Sequence, residues 1–207
     1  MFSKFRRTGS RFVLIGLVLA SAFGLSCIFE PRATTEPSQI SGSDILPAQE
    51  PEMVISNMML MLQGLDSANY PDLFSGDFFF VPDPEDVDFM NNQYGPGIYM
   101  DWFKPVEVNV ANQLFDRLNS ALFTIENTEV VEKTPETYVV YHSYTLKILP
   151  RGGTWKIFSG EARFHMRLNP DDALWEMFEW HDFRPEEFPE DANGTWGLLK
   201  GETRATT

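Results

Sequence analysis

The sequence predicts an α+β domain in which helices are followed by a long antiparallel meander. From Met53 to Leu65, apolar residues recur at helical spacing, and a longer helix is predicted to begin near Pro105. After Asn127 the period of apolar residues changes to two, and turn sequences separate long strands. Helices first and a run of strands afterwards are typical of an α+β fold.

Shorter elements are predicted between the two helices. A short helical piece around 71–75 precedes the apolar run 77–81, which is predicted to be a strand or an extended edge because prolines close it. The acidic run 83–88 is predicted to be a solvated loop, since it lacks the central glycine and distal glutamate of an EF-hand calcium loop. A second loop is predicted at 95–97.

The buried faces of the longer elements follow from periodicity. The stripe of the longer helix comprises Val106, Val110, Leu114 and Leu118, with Phe115 and Leu122 alongside. Two strands then alternate apolar and polar residues over 138–148 and 158–168. In the third strand, Trp175 alternates out of phase with Trp180 and Asp182, so a β-bulge is required if all three face the core.

Residues 1–26 have the composition of an export signal. All four of their charged residues are basic, and an apolar stretch from Phe12 to about Leu25 follows. The short run that ends at Cys27 resembles a bacterial lipobox, whose cysteine is lipidated. We therefore expect a lipoprotein that is anchored to a membrane through Cys27, the single cysteine of the chain.

Two other fates of this leader stay open. Residues 20–22 suit ordinary signal-peptidase cleavage, which would release a soluble protein, and residues 12–29 are long enough to remain as a transmembrane anchor. Residues 27–52 contain the anchor cysteine and are rich in Pro, Ser, Thr and Glu, so they are predicted to be a disordered tether. Ile28 in place of Asp after the cysteine favours the outer membrane of a bacterium over the inner membrane.

Charge and cysteine content exclude several classes of function. The formal net charge is −14 and no cluster of Lys or Arg lies outside the leader, so nucleic-acid binding is disfavoured. One cysteine excludes a disulfide framework and a cysteine-rich zinc site. The three histidines form no helical metal-binding spacing, and His165 and His181 are predicted to face solvent. The sequence predicts no metal site and no cofactor.

The order of the elements and two aromatic motifs are similar to those of a known fold. One motif is the Trp-x-Met-x-x-Trp-x-Asp strand at 175–182, and the other is Thr-Trp-Gly-Leu-Leu-Lys at 195–200. Together with the preceding helices and Phe-rich edge, they resemble the NTF2-like (cystatin-like cone) superfamily, and the second motif is similar to the end of uncharacterised bacterial lipoproteins. The resemblance covers 53–200, leaves 201–207 as a tail, and implies N-terminal helices packed on a curved antiparallel sheet.

The resemblance also implies a pocket inside the cone, which makes inward-facing residues the candidates for function. His142 lies on the apolar face of its strand, as either a base or a core histidine bonded to a neighbour such as Tyr144. Asp182 is either a pocket carboxylate or a group that holds the strand end or Trp196. The candidate lining residues are Phe80, Trp102, Tyr144 and Trp180.

Two functions stay open at this point. The first is a membrane-anchored, non-catalytic module that binds a small apolar ligand or an envelope protein. The alternative is an NTF2-like isomerase, dehydratase or hydrolase with His142 and Asp182 as its acid–base groups. The sequence favours the binder, because it offers only these two polar candidates. The resemblance also leaves open a homodimer formed through the sheet.

Overall fold

The computed structural model describes residues 45–206, so the predicted signal, Cys27 and most of the predicted tether lie outside the described residues. The elements in chain order are helix α1 (Pro51–Gly64), a 3₁₀-helix (Tyr70–Leu73), strand β1 (Phe74–Val81), helices α2 (Pro84–Tyr94) and α3 (Lys104–Arg117), strands β2 (Leu118–Lys133), β3 (Thr137–Pro150), β4 (Lys156–Leu168) and β5 (Trp175–Phe183), and helix α4 (Trp196–Ala205). Within the described range, every helix is too short or too polar to cross a bilayer.

The strands of the described chain form one curved sheet in the order β1-β5-β4-β3-β2. Strands β2 to β5 pair antiparallel, and β1 joins the edge of the sheet parallel to β5. The predicted fold class is confirmed, since helices pack on the concave face of a largely antiparallel sheet. Apolar residues alternate onto that face, as in β4, where Phe158, Ala162 and Phe164 are buried.

The predicted bulge lies in β5. His165 pairs with Glu179 and the next residue of β4, Met166, pairs with Met177, so Phe178 is the extra residue of the bulged strand. The bulge resets the alternation, and Trp180 therefore faces the core together with Met177.

The acidic run 83–88 begins a helix, and the prediction of a loop was wrong. Asp83 is the N-cap of α2, and its side chain accepts a hydrogen bond of 2.8 Å from the Glu85 backbone N–H. Pro84 occupies the first turn, where no backbone N–H is needed. Acidic residues at this position interact favourably with the helix dipole, which explains the composition better than solvation does.

The prediction also extended α3 too far. The helix ends at Arg117, and Leu118 and Leu122, which were assigned to its stripe, belong to β2. Strand β2 pairs with β3 over most of its length. The apolar spacing at the start of β2 suits a helix, and the pairing with β3 overrides it.

The folded domain extends beyond the predicted bounds at both ends. Ala48 is buried, its carbonyl oxygen accepts a 2.7 Å hydrogen bond from the Trp175 N–H, and α1 begins at Pro51. At the other end, α4 continues to Ala205, so the residues set apart as a tail include the second half of this helix. Helix α4 contacts α2, α3 and the inner face of the sheet.

Candidate functional site

The interior of the cone is filled by side chains. Trp180 and Trp196 pack edge to face with ring centroids 4.6 Å apart, and Phe80 packs against Trp180 at 5.6 Å. All three are buried. The space left beside Glu107 and Lys200 is about 10 Å³, which holds at most one water molecule.

A buried ion pair joins α3 to α4 in this interior. Lys200 Nζ lies 2.9 Å from Glu107 Oε1, although the contact lacks the alignment of a good hydrogen bond. The Glu107 carboxylate also accepts hydrogen bonds from the Tyr70 hydroxyl (2.9 Å) and from Trp102 Nε1 (2.8 Å). The ammonium lies 3.3 Å from the centroid of the Trp180 ring, a cation–π contact. Burial lowers the pKa of Lys200, and the Glu107 carboxylate opposes this shift.

Asp182 fixes the start of α4. Its Oδ1 accepts a 2.8 Å hydrogen bond from the Tyr144 hydroxyl, and its Oδ2 accepts one of 2.6 Å from the Gly197 N–H. The Tyr144 hydroxyl in turn accepts from the Trp196 N–H at 2.8 Å. Burial raises the pKa of Asp182 to about 7, while the bonds from Tyr144 and Gly197 act in the opposite direction. The Asp182 carboxylate therefore holds neighbouring structure in place through hydrogen bonds, which is one of the two roles predicted for it.

Two glycines make this arrangement sterically possible. A Cβ atom at Gly160, the β4 partner of Tyr144, would lie 2.7 Å from Tyr144 Cζ and 2.8 Å from the Phe183 carbonyl oxygen. A Cβ atom at Gly197 would lie 2.7 Å from Asp182 Oδ2. Glycine at both positions therefore allows the close approach on which the Asp182 contacts depend.

A second buried carboxylate holds the same helix end. Asp86 Oδ1 accepts hydrogen bonds from Arg184 Nε (2.9 Å) and Nη2 (2.7 Å), and its Oδ2 accepts from the Thr195 hydroxyl. Thr195 is also the N-cap of α4, since its Oγ1 accepts from the Leu198 N–H at 3.0 Å. Burial raises the pKa of Asp86 against the effect of Thr195 and Arg184. The residues of the motif at 195–200 thus make the contacts that hold α4 over the open end of the cone.

His142 is a buried residue apart from this network. Thr128 Oγ1 lies 2.9 Å from its Nδ1, and its Nε2 has no partner among residues 45–206. Burial lowers the pKa of His142 to about 4, so the ring is neutral near pH 7. Ala162 pairs with both His142 and Asp182 on opposite sides, which places the two candidates two strand spacings, about 10 Å, apart. Among the hydrogen bonds of residues 45–206, none joins His142 to Asp182.

The residues predicted to line a pocket lie in the closed interior. Phe80, Trp102 and Trp180 are core residues, and the ring of Phe80 contacts the rings of both tryptophans. The Tyr144 hydroxyl is committed to Asp182 and to the backbone of α4.

An open groove of about 440 Å³ lies elsewhere, between the first described residues, α1 and the turn that precedes β5. Its apolar lining includes Ile45, Val54, Met61, Leu73, Leu174 and Trp175. Lys104 and Asp72 are among its polar groups, and the Lys104 ammonium donates to the Phe74 carbonyl oxygen at 2.7 Å. This volume is typical of small-molecule sites, and periodicity did not reveal the groove because its walls come from five separate segments.

His165 and His181, which were predicted to face solvent, lie on the outer face of the sheet and are partly covered there. Their side chains are 21% and 19% exposed, and both face the Glu179 carboxylate. Neighbouring side chains on the sheet cover them.

No family model matches this chain, and no curated protein sequence matches it. Among solved structures, it is similar to an NTF2-like superfamily protein from Salmonella enterica serovar Typhimurium (TM-score 0.51, 11% identity, 66% of this chain and 89% of that chain). It is also similar to a scytalone dehydratase-like protein from Novosphingobium aromaticivorans (0.52, 10%, 69% and 89%) and to a protein from Kribbella flavida (0.52, 12%, 73% and 94%). The chain therefore has the NTF2-like cone fold, and at such identities the likeness shows the fold alone.

Proposed function

We propose that this chain is a membrane-tethered binding module that holds a small ligand with both apolar and polar groups in the groove beside α1. One observation carries the proposal: the pocket beside Glu107 and Lys200 inside the cone has about 10 Å³, whereas the groove offers about 440 Å³. The usual ligand position of a cone is thus occupied by the protein's own side chains, and the groove has the size of a ligand site.

The chemistry of the interior also favours a non-catalytic module. His142 bonds to Thr128, and Asp182 uses both carboxylate oxygens to hold α4, one of them through the Tyr144 hydroxyl. A substrate could reach this carboxylate only if α4 left the sheet and the Glu107–Lys200 ion pair separated. An enzyme remains the alternative function, because one of the proteins with a similar fold is dehydratase-like. Among the described residues, however, no open pair of acid and base groups supports this alternative.

The anchoring part of the proposal comes from the leader. Residues 1–26 direct export, Cys27 is lipidated, and the chain up to residue 44 tethers the domain to the outer side of a bacterial membrane, with the outer membrane favoured. Residues 45–48 line the groove, so the ligand is bound at the end of the domain that the tether joins. A ligand drawn from the membrane is consistent with this placement.

Native mass spectrometry of the chain purified from membranes tests the groove. Leu174→Trp fills the apolar lining, and Leu122→Trp is the matched control because Leu122 is an exposed residue outside the groove. We expect a small molecule to remain with the wild type and the control and to be lost from Leu174→Trp. Three bare proteins, or equal occupancy in all three, would contradict the proposal.

Mass spectrometry of the membrane fraction also tests the anchor. The N-terminal peptide of the mature chain is expected to begin at an acylated Cys27, and Cys27→Ala is expected to abolish the modification. A wild-type chain recovered in the soluble fraction with an unmodified thiol would refute lipidation and leave the groove proposal standing.

A further inference from the structure

Three potential metal ligands meet on the outer face of the sheet. Strands β4 and β5 are antiparallel neighbours, and His165 pairs directly with Glu179. His181 follows Glu179 by two positions, so its side chain points to the same face. One ligand atom from each of the three residues lies within 4.8 Å of the other two.

The bulge in β5 creates this cluster. Without the bulge, strict alternation from Trp175 would turn Glu179 inward and His181 with it. With the bulge, Glu179 lies opposite His165 and between the two imidazoles. Bulges commonly re-aim side chains at functional sites, and here the same bulge also sets the inner face of the strand.

The geometry suits a cation that replaces the present contacts. One Glu179 oxygen contacts His181 Nε2, and the other lies 3.7 Å from His165 Nδ1. His165 Nε2 is buried and has no partner among the described residues. Ligand atoms bound at about 2.0–2.2 Å from a tetrahedral zinc ion lie roughly 3.4 Å apart. Side-chain rotations that move the three ligand atoms by about 1 Å would therefore bring them to these positions.

We propose that His165, Glu179 and His181 bind one divalent transition-metal ion of the zinc class. Two imidazole nitrogens and one carboxylate oxygen form a set that Zn²⁺, Co²⁺, Ni²⁺ and Cu²⁺ accept, and Ca²⁺ or Mg²⁺ accept poorly. A water molecule takes the fourth position of the ion, which leaves an open coordination site at the surface.

The surrounding charge is compatible with a cation. The acidic groups that act on His165 are Glu179 and Glu132, and the basic groups are Arg163 and His181. The nearby guanidinium of Arg167 is already bound to Asp77 and Glu176, at 3.0 and 3.1 Å. The site is separate from the groove, because none of its three ligands lines the groove.

Calorimetric titration with Zn²⁺ tests the proposal on the full chain in detergent, carrying Cys27→Ala so that the only thiol is removed. We expect one Zn²⁺ per chain, with a Kd of about a micromolar or below. His165→Gln and His181→Gln, which retain polar side chains at partly buried positions, should each weaken binding about tenfold or more. The control Glu161→Gln, which changes an acidic residue on the same face of β4, should bind like the parent.

Titration with Co²⁺ supplies a second readout, because a bound Co²⁺ ion has visible absorption that reports nitrogen and oxygen ligands. This absorption is expected in the parent and in Glu161→Gln and is expected to be lost in His181→Gln, with unchanged circular dichroism in all three. Absence of saturable Zn²⁺ binding to the parent would overturn the metal site, and so would binding that both histidine substitutions leave intact. Neither result bears on the groove.

Discussion

The buried Glu107–Lys200 ion pair offers the sharpest perturbation of the closed cone. Lys200→Met keeps most of the aliphatic stem and removes the ammonium, so Glu107 remains buried with only the neutral donors Tyr70 and Trp102. Both side chains of the pair are about 97% or more buried. Loss of one partner of a buried pair typically costs about 3–5 kcal/mol, because the remaining charge is uncompensated.

The assay is urea unfolding at neutral pH. A loss of about 3–5 kcal/mol is a large part of the roughly 5–15 kcal/mol that stabilises a typical domain, and it lowers Tm by about 6–20 °C in a chain of this size. Adding Glu107→Gln removes the orphaned charge, so the double variant is expected to be more stable than Lys200→Met alone.

Two outcomes would refute this reasoning. A Lys200→Met protein within about 1 kcal/mol of wild type would mean that the carboxylate finds solvent, and hence that the cone is open. A double variant less stable than Lys200→Met would mean that the stability comes from the packing of the two stems and not from charge pairing.

Three further predictions concern the same framework. Gly160→Ala should destabilise the domain by about 1–3 kcal/mol in urea unfolding, because the new methyl group meets the Tyr144 ring; a neutral effect would contradict the close approach. Burial raises the pKa of Asp182 to about 7, so the folded protein binds the carboxyl proton more tightly than the unfolded chain does. The free energy of unfolding of wild type, measured relative to that of Asp182→Asn, should therefore fall as the pH rises from about 4 to 7. A difference that stays constant or grows over this pH range would contradict the raised pKa. Asp83→Ala removes the N-cap of α2 and should cost about 0.5–2 kcal/mol, whereas Asp88→Ala, beyond the first turn of α2, serves as the control and should cost less.

The strands and the bulge could be predicted because their signals are local. In β3 and β4 the alternation of apolar and polar residues directly reports which side is buried. The phase break between Trp175 and Trp180 likewise required a bulge before any pairing was known. Helix α2 was missed although its signal was also local, because Asp83 and Pro84 are helix-start residues that were interpreted as loop residues.

The closed interior could not be predicted from the sequence, because it depends on contacts between distant residues. Lys200 lies in the motif at 195–200, but its partner Glu107 is in α3, and both are residue types that are rarely buried. The need for glycine at 160 and 197 likewise becomes visible only in the folded structure, where Tyr144 and Asp182 pack against these positions.

The cluster of His165, Glu179 and His181 on the outer face of the sheet was not predicted, for a different reason. The search for metal ligands used helical spacings, whereas Glu179 and His181 have the strand spacing of two and His165 joins them through strand register. A search for period-two His and Glu pairs would have found the first two residues, and the predicted β4–β5 meander would have placed the third nearby.

Xenon-pressurised crystals test the central claim most directly, since xenon enters dry apolar cavities that have room for it. We predict no xenon between Glu107 and Trp196, where the pocket has about 10 Å³. Xenon beside Lys200, or a file of ordered water from this residue to the surface, would contradict a closed cone and favour a catalytic interior.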